Sequence, residues 1–389
     1  MVPRKIKIDL DYLSPNNSFI YPLYASTGEK ILEARVILTA EKIREVRERY
    51  GNILFYTDSG DRAVIPSYRM KIAYNKAKEI MDEILHTEKL TRTAFRDAEK
   101  VVEEIVNDLN TTEINAISLL KDLKSHEEYL YNHSVNVGIL TAVFAKKRSA
   151  FSGDELKYIT LGSYLHDIGS TRLDKQLLHK EGKYTVSEIQ KMKRHPQLGY
   201  EILKNIEKVS PIVLQTVLFH HEKFNNRGYY GLPYENLPDF PKLTSICDIF
   251  DALTSNRPYR DAFSPTVALK SIVNTINVHF DYGIVSDFIN NVGRLVNNSQ
   301  NFYSRNDFCE LSTQELAIIR DFGLKDIMKP KVTVFCKFLR QGGKLSVSFY
   351  KSPVEVDLIH DKDRHMTKII SNETQIATIR EKLKERNIM

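Results

Sequence analysis

The sequence predicts a mainly α-helical protein in which a small β-rich domain precedes a long helical region and a short β-hairpin follows it. Three observations carry that expectation. Short β-rich runs alternate with turn signals up to about Ile65, no glycine or proline interrupts Ser67 to Leu123, and Gly342-Gly343 separates two runs rich in β-branched and aromatic residues.

The first domain is expected over residues 1–66, where Ile6-Lys7-Ile8, Ser18-Phe19-Ile20-Tyr21 and Ile53-Leu54-Phe55-Tyr56 read as strands. Ser14-Pro15-Asn16-Asn17 and Ser59-Gly60-Asp61 read as turns between them. Over 67–123 the apolar residues Ile72, Ala73, Ala77, Ile80 and Ile84, then Val101, Ile105 and Leu109, recur at helical spacing and predict a helical connector. The helical pattern continues through 124–300. There Thr185-x-x-Glu188 reads as a capping box opening a helix that stops by His195-Pro196, and Ser210-Pro211 starts the helix that delivers His220-His221. In 301–389, Val332-Thr333-Val334-Phe335 and Leu345-Ser346-Val347-Ser348-Phe349 form the appended hairpin, with a helical tail behind it.

With 389 residues, 42% hydrophobic and 27% charged, the chain can bury a sizeable core. A formal net charge of +6 favours anionic ligands, but 50 acidic residues against 56 basic ones is no polybasic signature, so DNA is not an expected partner. Cys247, Cys309 and Cys336 are few and widely spaced, which fits a reducing compartment better than a disulfide framework. Nowhere do about eighteen apolar residues run together. A cytoplasmic protein without a membrane span is expected.

One group of residues points to chemistry. His133, His166, Asp167, His195, His220, His221 and Asp248 nearly all fall at the ends of expected helices, and neutral imidazoles with carboxylates suit first-row metals. No Cys-x-x-Cys pair suggests a structural zinc site. Adjacent His166 and Asp167 place two donors within one turn, so Asp167 can bridge two metals with its two oxygens while its neighbour binds one. His133, His166 and Asp248 are expected around one metal, and His195, His220 and His221 around the other. Two divalent cations against two aspartates leave a site with roughly two positive charges, which attracts phosphate. Paired metals lower the pKa of a bridging water and steady charge building on phosphorus, so phosphate ester hydrolysis is the expected reaction. A lone histidine is more often a surface or core residue than a ligand, and His86, His126, His179 and His279 are assigned no role.

His166-Asp167-Ile168-Gly169, His195-Pro196, His220-His221-Glu222, Gly228-Tyr229 and Asp248-Ile249-Phe250-Asp251-Ala252-Leu253-Thr254 with Arg257-Pro258-Tyr259-Arg260 resemble the HD-GYP subgroup of the HD phosphohydrolases. The resemblance covers about Lys124 to Asn298. It implies an all-helical HD-type domain with a binuclear or trinuclear centre of iron or manganese that hydrolyses cyclic di-GMP to linear pGpG or to GMP. It also implies that the seven residues above fill the ligand positions, with His166 and Asp167 as the catalytic pair. Arg257 and Arg260 fall where the family sets cations against the ligand's phosphates, and Tyr229 where it sets an aromatic ring against a guanine. Docking to diguanylate cyclases or other signalling proteins, and a homodimeric assembly, are expectations of the same kind.

The chain departs from the pattern in three places. Ser170 occupies a catalytic-site position where the family carries lysine, which removes an ammonium and is expected to weaken turnover. Gly-Tyr-Pro becomes Gly228-Tyr229-Tyr230, and the preceding Asp-Gly becomes Asn225-Asn226, which is expected to alter loop stiffness. Tyr129 stands where members with three metals carry glutamate, so two metals are expected. The leading expectation is a cyclic di-GMP phosphodiesterase acting through a metal-bridging hydroxide. The alternatives are a cyclic di-GMP receptor with weak or no hydrolysis, and a hydrolase of another cyclic dinucleotide or a nucleoside phosphate.

Overall fold

The computed structural model describes the chain except residues 1–3, 10–22, 26–28, 34–35, 37, 52, 59–66, 112–125, 179, 181, 257–260, 297–300, 324, 342–343 and 387–389. Over 4–9, 53–58, 67–71, 111, 126–130, 339–341 and 344–346 it describes the main chain alone. The chain divides into two units, one of Arg62–Ser264 with Val278–Val296, the other of Met1–Asp61, Pro265–Asn277 and Asn297–Met389.

In the N-terminal part, β1 (Arg4–Asp9), β2 (Leu23–Tyr24), β3 (Lys30–Leu32) and β4 (Ile53–Asp58) form an antiparallel sheet in the order β1-β4-β2-β3. Helix α1 (Ala40–Tyr50) sits between β3 and β4 in sequence, an element the β-rich reading of this region does not contain. Its start is fixed by Thr39, whose hydroxyl accepts from the Lys42 N–H at 3.1 Å. The expected strand at Ser18–Tyr21 lies outside the described residues.

The helical unit begins with α2 (Ser67–Thr87) and α3 (Arg92–Thr111), which pack on each other and on α4 (His126–Arg148) and α5 (Gly153–Tyr164). The Tyr164 hydroxyl donates to the Ala73 carbonyl at 2.6 Å and ties α5 to α2. A 3-10 turn (Ile168–Arg172) leads to α6 (Lys175–Leu178), α7 (Val186–Met192), α8 (His195–Leu203), α9 (Pro211–Phe219) and α10 (Asp239–Thr254). The expected capping box is present at Thr185 and Glu188, and the Ser210 hydroxyl caps α9 ahead of Pro211. Helix α4 is buried almost all round from Val135 to Ala145, as a central helix must be.

After α11 (Pro265–Val273), which belongs to the other unit, come α12 (Tyr282–Phe288), a π-turn at Ile289–Gly293 and α13 (Arg294–Val296). Phe288 of α12 meets Phe144 of α4 edge-on at 5.4 Å and Phe250 of α10 at 5.6 Å. Burial of each such ring contributes roughly 1.5–3 kcal/mol, so this aromatic trio fastens α10 against α4.

The expected hairpin is part of a larger sheet. Strands β5 (Phe308–Leu311), β6 (Glu315–Asp321), β7 (Lys331–Gln341), β8 (Lys344–Asp357) and β9 (Met366–Ile369) run antiparallel in the order β8-β7-β6-β5-β9. The tail is α14 (Glu373–Lys384), whose Ile376, Ile379 and Leu383 pack on Phe308, Leu316, Ile318 and Phe335. Helix α11 joins this sheet at its β9 edge, where Asn274 both donates to and accepts from the main chain of Ile369. No described helix is long and apolar enough to cross a membrane. The three cysteines are buried and free.

Candidate metal centre

Five segments of the helical unit bring the seven predicted donors together. Helix α4 carries His133, the turn after α5 carries His166 and Asp167, α8 opens on His195, α9 ends into His220 and His221, and α10 carries Asp248. The close approach of the 3-10 turn to α8 depends on Gly169. A Cβ there would lie 2.0 Å from the His195 carbonyl oxygen and 2.3 Å from the Gly199 nitrogen. Across the other side, the Ser163 and Thr244 hydroxyls bond at 2.8 Å and join α5 to α10.

The two carboxylate oxygens of Asp167 face different histidines. Oδ1 lies 3.1 Å from His195 Nε2 and 3.9 Å from His220 Nε2, while Oδ2 lies 3.5 Å from His166 Nε2 and 4.0 Å from His133 Nε2. Two groupings have metal-ligand spacing, Asp167 with His195, His220 and His221, and Asp167 with His133 and His166. Asp248 falls outside both groupings, yet its Oδ1 is 3.1 Å from His133 Nε2. Neither grouping includes His86 or His279.

Imidazole protonation decides whether these donors suit a cation. His166, His195 and His220 each set Nδ1 against a backbone carbonyl three residues earlier, at 2.7, 2.8 and 2.8 Å. A carbonyl only accepts, so Nδ1 holds the proton and Nε2 presents a lone pair inward. His133 does the same through Asp251, whose Oδ2 lies 2.7 Å from Nδ1. The His195 and His220 Nε2 atoms then stand 3.2 Å apart as two lone pairs, and His166 Nε2 is buried with no hydrogen-bond partner. Such a convergence of lone pairs and carboxylates is repulsive unless a cation sits among them, so the donor set fits divalent metal ions.

The electrostatics follow the same division. Burial pushes the Asp167 carboxyl up, but His166, His195 and His133 together outweigh it and hold the group well below the usual carboxylate range. Burial likewise opposes ionisation of Asp248, and the His133 contact overcomes it. Burial, then the neighbouring imidazoles, hold His220 well below its ordinary value, while burial and His195 bring His221 to about 3. For His195 the downward push of burial yields to Asp167, and the group moves up.

Around this cluster lie residues of different standing. The Tyr229 ring stacks on His221 at 4.4 Å and 30°, and burial followed by Asp167 and Asp248 raises its phenol to about 12, so it stays protonated. Ser170 is buried at 4% exposure in the 3-10 turn, its N–H donating to the Asp167 carbonyl at 2.8 Å. Arg257 and Arg260 lie outside the described residues, and of Tyr129 only its place on α4 is described. Asp251 and Asn136 carry no assigned role in the sequence reading. Asp251 is wholly buried and accepts from His133 Nδ1, from Asn136 Nδ2 at 2.9 Å and from the Ser255 hydroxyl at 3.2 Å. It stands three residues after Asp248 on the same helix face, a spacing that by itself names no partner.

The family model described as an HD domain matches residues 118–284. A cyclic di-GMP phosphodiesterase of Pseudomonas aeruginosa is 31% identical over 222 residues, covering 57% of this chain and 51% of that protein. The cyclic di-GMP phosphodiesterase response regulator RpfG of Xanthomonas campestris is 37% identical over 120 residues, 30% of this chain and 32% of the relative. A 3'3'-cGAMP-specific phosphodiesterase of Vibrio cholerae is 30% identical over 133 residues, 34% of this chain and 26% of the relative. The chain thus spans about half the length of the first of these relatives and less of the other two. Residues 118–284 thus match the HD-domain model, and that stretch holds the His and Asp groupings whose spacing suits divalent metal.

Proposed function

We propose that this chain is a metal-dependent phosphodiesterase that hydrolyses cyclic di-GMP to linear pGpG or GMP. Two divalent ions, iron or manganese, would be held by His133, His166 and Asp248 and by His195, His220 and His221, with Asp167 shared between the two groups. The observation that carries the reading is the opposed aim of the two Asp167 oxygens, each toward its own histidine group. When bound, the ions supply Lewis acidity toward a phosphate oxygen and an activated water. Asp167 and Asp248 neutralise part of the metal charge, and the carbonyl-bonded histidines keep their lone pairs inward. Tyr229 offers a face for a base beside His221, and Arg257 and Arg260 pair with phosphate oxygens. Relatives named for cyclic di-GMP hydrolysis support the substrate.

The test is anaerobic purification, loading with iron or manganese, incubation with cyclic di-GMP and chromatography of the products beside Asp167→Ala. Linear dinucleotide or GMP from the parent and none from the variant is expected, with close to two metals per chain in the parent. Tight binding without any product from the loaded protein overturns hydrolysis in favour of a receptor. A second substrate is favoured by the relative named for 3'3'-cGAMP, so both dinucleotides belong in the same assay. Preference for the mixed dinucleotide shifts the substrate while leaving the metal chemistry intact.

A further inference from the structure

The loop that carries Tyr229 lacks the proline of Gly-Tyr-Pro, yet several bonds hold it. Phe224 N–H donates to the His279 carbonyl at 2.9 Å, and the Asn226 side chain accepts from the Tyr234 N–H at 3.0 Å. The strongest hold is Glu222, the residue after His221. It is 3% exposed, with Oε1 accepting from the Tyr230 N–H at 2.7 Å and Oε2 from the Leu232 N–H at 2.8 Å. No lysine or arginine among the described residues pairs with it. A buried carboxylate without a counter-ion is unfavourable unless its hydrogen bonds are made, so these two N–H groups are integral to the arrangement. Gly228 completes it. A Cβ there would meet Glu222 Cα at 2.6 Å and the Glu222 carboxylate at 2.7 Å, so the loop folds directly onto Glu222.

The two donors flank Tyr229 on its C-terminal side. Proline at 230 has no N–H and could not make the first bond. We propose that Glu222 is a positioning residue that clamps the loop through Tyr230 and Leu232 and so sets Tyr229 over His221. With tyrosine at 230 the clamp gains a main-chain bond that proline could not make. This rests on the reading of Tyr229 as a base-stacking face. Glu222 itself touches neither substrate nor metal, and it acts through where it holds the ring.

The experiment compares the metal-loaded parent with Glu222→Gln, Tyr230→Pro and the double variant. Glu222→Gln keeps the shape but turns one acceptor into a donor, and Tyr230→Pro removes one donor while leaving the carboxylate. Each raises KM for cyclic di-GMP about three- to tenfold, with kcat within about twofold and metal content unchanged. The double variant loses less than the sum of the two singles, because both act on one clamp. Unchanged KM, additive losses, or metal content falling with Glu222→Gln overturns the clamp. Amide exchange in the segment 222–233 gives a readout independent of substrate. Exchange at Tyr230 and Leu232 is slow in the parent and fast at one of the two at least in Glu222→Gln, and fast exchange in the parent overturns the proposal. If the parent turns over no dinucleotide, the phosphodiesterase reading fails and the exchange result alone decides the clamp. If Glu222→Gln does not fold, Tyr230→Pro carries the test.

Discussion

His133 is held between two aspartates of one helix, its Nδ1 2.7 Å from Asp251 Oδ2 and its Nε2 3.1 Å from Asp248 Oδ1. Asp248 and Asp251 are three residues apart on α10, so a single helix face both orients the imidazole and supplies a carboxylate beside its other ring nitrogen. Carboxylates behind ligand histidines fix the tautomer and raise donor strength. Asp251→Ala is therefore expected to weaken metal binding about 10- to 100-fold, measured by chelator competition at a temperature where the variant is folded. Unchanged affinity would remove Asp251 from the metal centre.

The metal-free protein should lose stability as pH falls from 7 to 5. His220 and His221 are neutral in the folded state at both values, because burial and neighbouring imidazoles hold them below their ordinary 6.5. The unfolded chain takes up protons there below about 6.5, so the loss begins at that pH and continues to about 3 for His221. At pH 5 His221 costs about 2 kcal/mol, and His220 acts in the same direction. His195 has the opposite sign, since its raised value favours the folded state on acidification, and it offsets part of this loss. The depressed aspartates act only below their ordinary 3.8, outside this window. Urea midpoints at pH 7 and 5, with and without manganese, check the claim. A flat metal-free profile is the adverse result, and metal is expected to raise both midpoints but steepen the slope, because bound imidazoles take up no protons until the chain unfolds.

How much of this was legible depends on what kind of signal each element leaves. Helix α9 and the capping box before α7 announce themselves because Ser210-Pro211 and Thr185-x-x-Glu188 are local chemistry. Helix α1 is harder to read, because its stripe is only Ile43, Val46 and Tyr50, of which Val46 alone is fully buried. Strand β6 is buried at every position from Glu315 to Ile319, which erases the alternation that betrays a strand. The seven candidate donors were readable as residue types in order. Asp251 was not, because its partner His133 is 118 residues away and only the packing of α4 on α10 joins them. Glu222 was visible as a letter of a motif, but its role depends on two backbone N–H groups that no side-chain pattern records.

The packing of the 3-10 turn on α8 yields a last prediction, because it sets the distance between Asp167 and His195. An added methyl at Gly169 meets the His195 carbonyl and the Gly199 nitrogen, both main-chain atoms that cannot rotate aside. Gly169→Ala is therefore expected at or beyond the upper end of overpacking costs, about 3 kcal/mol. The displacement falls on α8, so the grouping of Asp167 with His195, His220 and His221 should lose metal before that of Asp167 with His133 and His166. Gly153, at the first turn of α5, is the matched control. A Cβ there meets nothing within 4 Å, and Gly153→Ala should be neutral or stabilise by up to about 1 kcal/mol. Denaturant midpoints and metal counts on the two variants separate the effects. Equal stability of the two would mean that the turn and α8 can part without disturbing the centre, which the approach of Gly169 to His195 does not allow.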